Sequence, residues 1–189
     1  MLQSLPKIFE TPARIRLLKL FIFNPDETFT TAGAGTFAQV PRAKVSRELG
    51  ALERTGLIRR FSRKQGTLWQ LDARAVGVRA LQEFLATAAI PDDAFVLKRL
   101  RAAAVLKLVL IAGVFTGDWS GRVDLLIVAD APKEKELVRA IRSIEAELGK
   151  EVRYVALPTH DFSYRMSVND RLVRDLFDYP HRIILDRLG

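Results

Sequence analysis

Apolar positions recur at helical spacing near the start of the chain, where Ile15, Leu18 and Ile22 share one side of a segment running from Thr11 to Phe23. Thr11 can cap that helix and Pro12 suits its first turn. Asn24-Pro25-Asp26 ends it, because the residue before a proline avoids helical backbone angles. Thr30 to Phe37 reads as a second helix, weakened by Gly33 and Gly35. Pro41 to Thr55 reads as a third. Val45, Leu49 and Leu52 lie on one face, Arg47 and Arg54 point the other way among Ala43, Lys44 and Ala51, and Gly56 terminates the run. Leu57–Ser62 and Thr67–Leu71 read as two strands around Arg63-Lys64-Gln65-Gly66, a hairpin with a basic tip.

The pattern then changes. Arg74 to Leu106 is mostly helical in character, interrupted near Ile90-Pro91-Asp92, and reads as a connector. Lys107–Gly113 and Arg122–Ala129 are apolar strands. Lys133–Leu148 is an amphipathic helix carrying Leu137, Ile141, Ile144 and Leu148. A third strand is expected at Glu151–Leu157, a last helix at Asp161–Phe177 and a short strand at His181–Leu185. Strands alternating with helices predict a small α/β or α+β domain. The whole chain is expected to be α+β, with domains at 1–73 and 107–189 joined by a helical connector at 74–106.

Charge sharpens this division. Residues 1–90 hold 14 Lys/Arg against 7 Asp/Glu, whereas residues 91–189 hold 16 against 15. Within the first half, Pro41–Lys64 alone carries eight basic residues and two acidic ones. A concentrated positive patch attracts polyanions by releasing their counterions. The chain has no Cys and two His, so thiolate sites and disulfides are excluded and neither a metal nor a cofactor is expected. Met1 to Glu10 shows no apolar run behind a basic head. The longest apolar runs, Leu108–Gly113 and Val123–Ala129, are too short to span a bilayer, so a soluble cytoplasmic protein without membrane contact is expected.

Three helices followed by a hairpin is the element order of a winged helix-turn-helix. In that arrangement the third helix buries one face and offers small and basic residues to the major groove. Arg42, Lys44, Ser46 and Arg47 stand in its first half, and Arg63 and Lys64 at the hairpin tip are placed for phosphates or the minor groove. Val45-Ser46-Arg47-Glu48-Leu49 followed by Leu52-Glu53-Arg54-Thr55-Gly56-Leu57-Ile58 resembles the signature of ArsR-like winged-helix regulators. Leu5-Pro6-Lys7-Ile8-Phe9, the Arg14 to Leu17-Leu18 spacing and Phe29 also fit that pattern. Glu48 and Glu53 read as cap or salt-bridge residues, and Trp69 as core packing rather than a stacking platform.

Ile111-Ala112-Gly113-Val114-Phe115-Thr116, then Arg122-Val123-Asp124-Leu125-Leu126-Ile127-Val128, is similar to the minimal nucleotidyltransferase domain. The resemblance implies a triphosphate held after Gly113 and two carboxylates gripping magnesium ions from one strand face. The chain departs from it: Val114 stands for a Ser, Arg122 for the first Asp, and the intervening loop is short. Alternation along a strand would put Arg122 and Asp124 on one face, a cation where metals must bind, with Glu151 the nearest candidate for a third carboxylate. Asp124 alone reads as a surface or capping carboxylate. Gly113, Arg122 and Asp124 are therefore candidate ligand-binding residues, with Arg122 able to hold a phosphate, and no catalytic residue is assigned.

These readings together imply a sequence-specific transcriptional regulator of double-stranded DNA with a degenerate nucleotidyltransferase-like domain. That domain would serve dimerisation, protein contact or nucleotide sensing. A homodimer is expected, with Leu81, Phe84, Leu85, Phe95, Leu97 and Leu100 as candidate dimer surface. Two rivals stay open: an active nucleotidyltransferase guided to a nucleic-acid or protein target, and an antitoxin-like protein-binding module.

Overall fold

In the computed structural model, which describes residues 10–63, 66–88 and 90–188, the first helix begins where the sequence places it. Thr11 Oγ1 accepts from the Arg14 amide at 3.0 Å and caps α1 (Pro12–Phe23). A two-residue strand, β1 (Phe29–Thr30), leads into α2 (Thr31–Phe37), where Thr30 Oγ1 accepts from the Gly33 amide at 2.9 Å. Gly35 is buried in α2, and a Cβ there would lie 2.6 Å from Val45 Cγ2. The residue that weakens the helix in sequence is what lets α2 approach α3 (Arg42–Arg54). Helix α3 buries Val45, Leu49 and Leu52 as its periodicity requires.

Strands β2 (Ile58–Arg63) and β3 (Gly66–Leu71) pair antiparallel, and β1 adds to the other edge of β3 in the order β1-β3-β2. Arg63 sits opposite Gly66, with Lys64 outside the described residues. Trp69 is buried in the middle strand and its Nε1 donates to Thr31 Oγ1 at 2.9 Å, so it packs the sheet onto α2. Helix α4 (Val78–Ala88) follows.

The chain divides into two units: Met1–Ile90 with Glu145–Glu151, and Pro91–Ile144 with Val152–Gly189. The expected connector is thus not one piece, since α4 counts with the first unit and α5 (Asp93–Leu100) with the second. Leu85 and Leu100 are fully buried within the chain and so are unavailable as dimer surface, whereas Phe84 remains exposed.

The first unit contains a feature that periodicity did not announce. Lys19, in the apolar run of α1, is fully buried. Its Nζ donates to the Glu147 carbonyl and lies 3.5 Å from Glu147 Oε1. Burial pushes its ammonium below the ordinary lysine value, with Glu147 opposing that shift. Nearby, Asn24 Nδ2 donates to the carbonyls of Leu20 and Gly149, at 2.6 and 2.8 Å. Gly149 has φ +87°, and a Cβ there would meet the Lys19 backbone at 2.7 Å, so both conformation and space demand glycine.

The second unit is built on a mixed sheet. Its strands are β4 (Val105–Ala112), β5 (Leu125–Asp130), β6 (Tyr154–Leu157) and β7 (His181–Asp186), ordered β6-β5-β4-β7. Only β5 and β6 run parallel. Helix α6 (Glu134–Leu148) makes that crossover. One sheet face, with Leu108, Leu110, Leu126 and Val128, packs against Phe162, Val173 and Leu176. Those three come from α7 (Thr159–Ser167) and α8 (Arg171–Asp178). The single last helix expected at Asp161–Phe177 is therefore two. Asn169 takes φ +52°, which stops α7, and Asp170 accepts from the Leu172 amide to start α8. Among the described residues, no helix is long and apolar enough to cross a membrane. The architecture is mixed α+β, with eight α-helices and two sheets among the described residues.

The α2–α3 approach gives a first prediction. Alanine has a helix propensity about 1 kcal/mol better than glycine, but overpacking a tight interface costs about 1–3 kcal/mol. With Val45 Cγ2 only 2.6 Å from the new Cβ, the clash wins. Gly35→Ala should lower stability in urea denaturation, and Gly35→Ala combined with Val45→Ala should lose less than the two single changes summed. Strict additivity would contradict the close approach.

Candidate functional site

The basic face of the first unit is made by α3 and β2. Arg42, Lys44, Ser46 and Arg47 all lie exposed on the first half of α3, opposite the buried Val45 and Leu49. The side chains of Arg42, Lys44 and Ser46 have no hydrogen-bond or ion-pair partner among the described residues. Arg47 meets Glu48 Oε1 only at 3.5 Å. Glu48 itself is withdrawn from the surface: its side chain is 1% exposed and accepts from Arg14 Nε at 2.9 Å. Glu53 pairs with Arg60 at 3.0 Å. Both acids thus serve as salt-bridge residues, and the outer face of α3 keeps its positive charge. Arg59 and Arg63 add exposed cations on β2, and Arg63 lies 5.7 Å from the Phe61 ring centroid.

In the second unit the sequence-derived trio does not form one site. Arg122 is exposed and precedes β5, which begins only at Leu125. No strand alternation therefore aligns Arg122 with Asp124. Asp124 is not a surface carboxylate; it is completely buried. Its Oδ1 accepts from the Val114 amide at 3.0 Å and from the Arg153 guanidinium at 2.9 Å. Its Oδ2 accepts from Arg153 N and Nε, both at 2.9 Å. The cation beside Asp124 is thus Arg153, raised further above the ordinary guanidinium value by that carboxylate. Nothing in the local sequence marked Arg153, because its partner is 29 residues away.

Gly113 holds the other side of this arrangement. It has φ +51°, and a Cβ there would fall 2.1 Å from Asp124 Oδ1. The turn after β4, a 3-10 segment at Gly113–Thr116, therefore closes directly onto the carboxylate. Glu151 is exposed and counts with the first unit. Among the described residues no group of three or more His, Cys, Asp or Glu is placed to hold a metal ion.

Gly113 and Arg122 do line a cavity of about 510 Å³, which Asp124 does not reach. The loop on its rim is set by Asp118, whose Oδ1 accepts from the Ser120 amide at 2.9 Å and its hydroxyl at 2.7 Å. Those bonds hold the Asp118 carboxyl below the usual carboxylate range.

Comparison with protein-family models, with curated proteins and with solved structures finds no match to this chain.

The saturation of Asp124 yields a second prediction. Removing one partner of a buried ion pair typically costs about 3–5 kcal/mol. Arg153 is partly exposed and can rehydrate, so the lower end applies. Asp124→Ala should cost about 3 kcal/mol in chemical denaturation of the full chain, and Arg122→Ala less than about 0.5 kcal/mol. Equal effects from the two would contradict the assignment of Arg153 as the partner.

Proposed function

We propose that this protein is a sequence-specific DNA-binding transcriptional regulator whose first unit is a winged helix-turn-helix. The observation that carries the reading is the outer face of α3. A helix packed on one side presents Arg42, Lys44, Ser46 and Arg47 on the other, with the nearby acids turned inward or paired. A major groove accepts a helix of that kind. Arginine there forms bidentate bonds to guanine, while other cations seat on phosphates. The element order also supports it, since β2 and β3 form a hairpin directly after α3, with Arg63 at its end. The chain would act on duplex DNA as a homodimer spanning two half-sites.

The second unit is read as a nucleotidyltransferase-like domain that transfers no nucleotide. Two-metal catalysis needs carboxylate oxygens free to ligand the ions. Both oxygens of Asp124 are taken by amides and a guanidinium, and in the sequence Arg122 stands where the resemblance expects the other carboxylate. An active transferase is the less favoured reading for that reason.

Three measurements test the proposal. Affinity for a site selected from random duplex DNA should fall on the order of 10³-fold between 50 and 200 mM salt if about six phosphates are neutralised; a flat response would sink the proposal. Arg47→Ala should weaken the selected site relative to random duplex by roughly 1–3 kcal/mol, while Arg59→Ala with Arg63→Ala should weaken both alike. Magnesium-dependent transfer from a labelled nucleoside triphosphate by the unmodified protein would overturn the reading of the second unit.

A further inference from the structure

The cavity of the second unit has a composition that the reading of a degenerate nucleotidyltransferase does not explain. Its lining includes the apolar side chains of Ala112, Val123, Leu172, Leu176 and Pro180 and the ring of Tyr179. Four charged side chains also line it, Asp118, Arg122, Arg171 and Asp175. Asp118 is held by Ser120 within its own loop, and Arg171 lies 3.7 Å from Asp175 along α8. Arg122 has no hydrogen-bond or ion-pair partner among the described residues and is exposed on the cavity lining. The lining thus carries two guanidiniums and two carboxylates, and Arg122 is the cation among them left without an acidic partner among the described residues.

A guanidinium stays charged at any working pH and presents a flat set of donors that matches carboxylate, sulfonate or phosphate oxygens. One free cation does not neutralise a triphosphate, and the buried carboxylate behind Gly113 offers no oxygen to a metal that would help. The volume, about 510 Å³, lies within the range of small-molecule sites, which are largely apolar with few polar anchors.

We propose that this cavity binds small amphiphilic anions: one anionic head group on Arg122 and a ring or short chain against Leu172, Leu176 and Tyr179. The proposal rests on the second unit being a non-catalytic binding domain, and it assigns that domain a ligand class and apolar contacts from α8 and the Tyr179–Pro180 turn. Neither Asp124 nor a metal takes part.

The test is fluorescence titration of the full-length protein with anilinonaphthalene sulfonate, in buffer containing a metal chelator, beside its uncharged relative phenylnaphthylamine. The sulfonate should saturate at one site per chain. Arg122→Gln, an exposed change that leaves the core intact, should weaken it about tenfold, the loss of one charge-assisted contact, and leave phenylnaphthylamine binding unchanged. Leu172→Glu should weaken both dyes, with an unchanged thermal melt confirming the fold. Naphthoate and naphthyl phosphate should each compete, and their ranking tells which head group the site prefers. Unsaturable dye binding, equal binding by Arg122→Gln, or competition by neither naphthyl anion would overturn the proposal. Magnesium-dependent nucleotide transfer with dye binding intact would instead remove only the non-catalytic reading on which it rests.

Discussion

A single buried carboxylate organises the second unit. Taking an ionised Asp out of water costs several kcal/mol unless every lone pair finds a donor. Asp124 meets that condition through the Val114 amide on one side and the Arg153 amide and guanidinium on the other. Its main chain adds to the same junction: the Asp124 amide donates to the Arg153 carbonyl at 2.7 Å, and the Ala112 amide donates to the Asp124 carbonyl at 2.9 Å. The end of β4 and the approaches to β5 and β6 are thereby tied at one point. Much else follows. Gly113 must be glycine because the carboxylate fills the space of a Cβ, and the 3-10 turn begins there because the Val114 amide is committed to Oδ1. Arg122, displaced from the carboxylate by Arg153, is left to the cavity.

The first unit handles its acids in the opposite sense. Glu48 is drawn inside to meet Arg14, and Glu53 is engaged by Arg60. Glu48 still lies 3.5 Å from Arg47, but Arg42 and Lys44 on the outer side of α3 keep no acidic partner among the described residues. A net charge counted along the sequence understates the resulting field, because what an approaching polyanion meets is the exposed subset. Burying Glu48 thus has two effects at once: it anchors α3 to α1, and it leaves Arg42, Lys44 and Arg47 as the outward charge.

Much of the first unit was legible because its signals are local. Thr11-Pro12 at a helix start, the Val45–Leu49–Leu52 stripe and two strands around Lys64-Gln65 each reveal themselves within a few residues. What the sequence hid depends on distance. Arg122-Val123-Asp124 continues the alternation of a strand, yet β5 starts at Leu125, because the Asp124 side chain turns inward to a partner 29 residues away. The break between α7 and α8 rests on one residue, Asn169, adopting a left-handed conformation that asparagine tolerates but does not announce. Lys19 reads as an interruption in an apolar helix, and its buried ammonium meets the carbonyl and carboxylate of Glu147, 128 residues away. Of the candidate ligand residues, Gly113 and Arg122 do share a cavity, while the wall that gives it chemical character comes from α8.

The first unit is also assembled out of order in time. Lys19 and Asn24 emerge early from the ribosome, but the carbonyls that receive them, of Glu147 and Gly149, follow 128 and 125 residues later. At translation rates of about 5–20 residues per second, that interval is on the order of ten seconds. Throughout it the Lys19 ammonium lacks the Glu147 carbonyl and carboxylate that it meets in the folded chain. The first unit is therefore complete only when a short segment encoded far downstream, Glu145–Glu151, has been made, after the intervening strands β4 and β5.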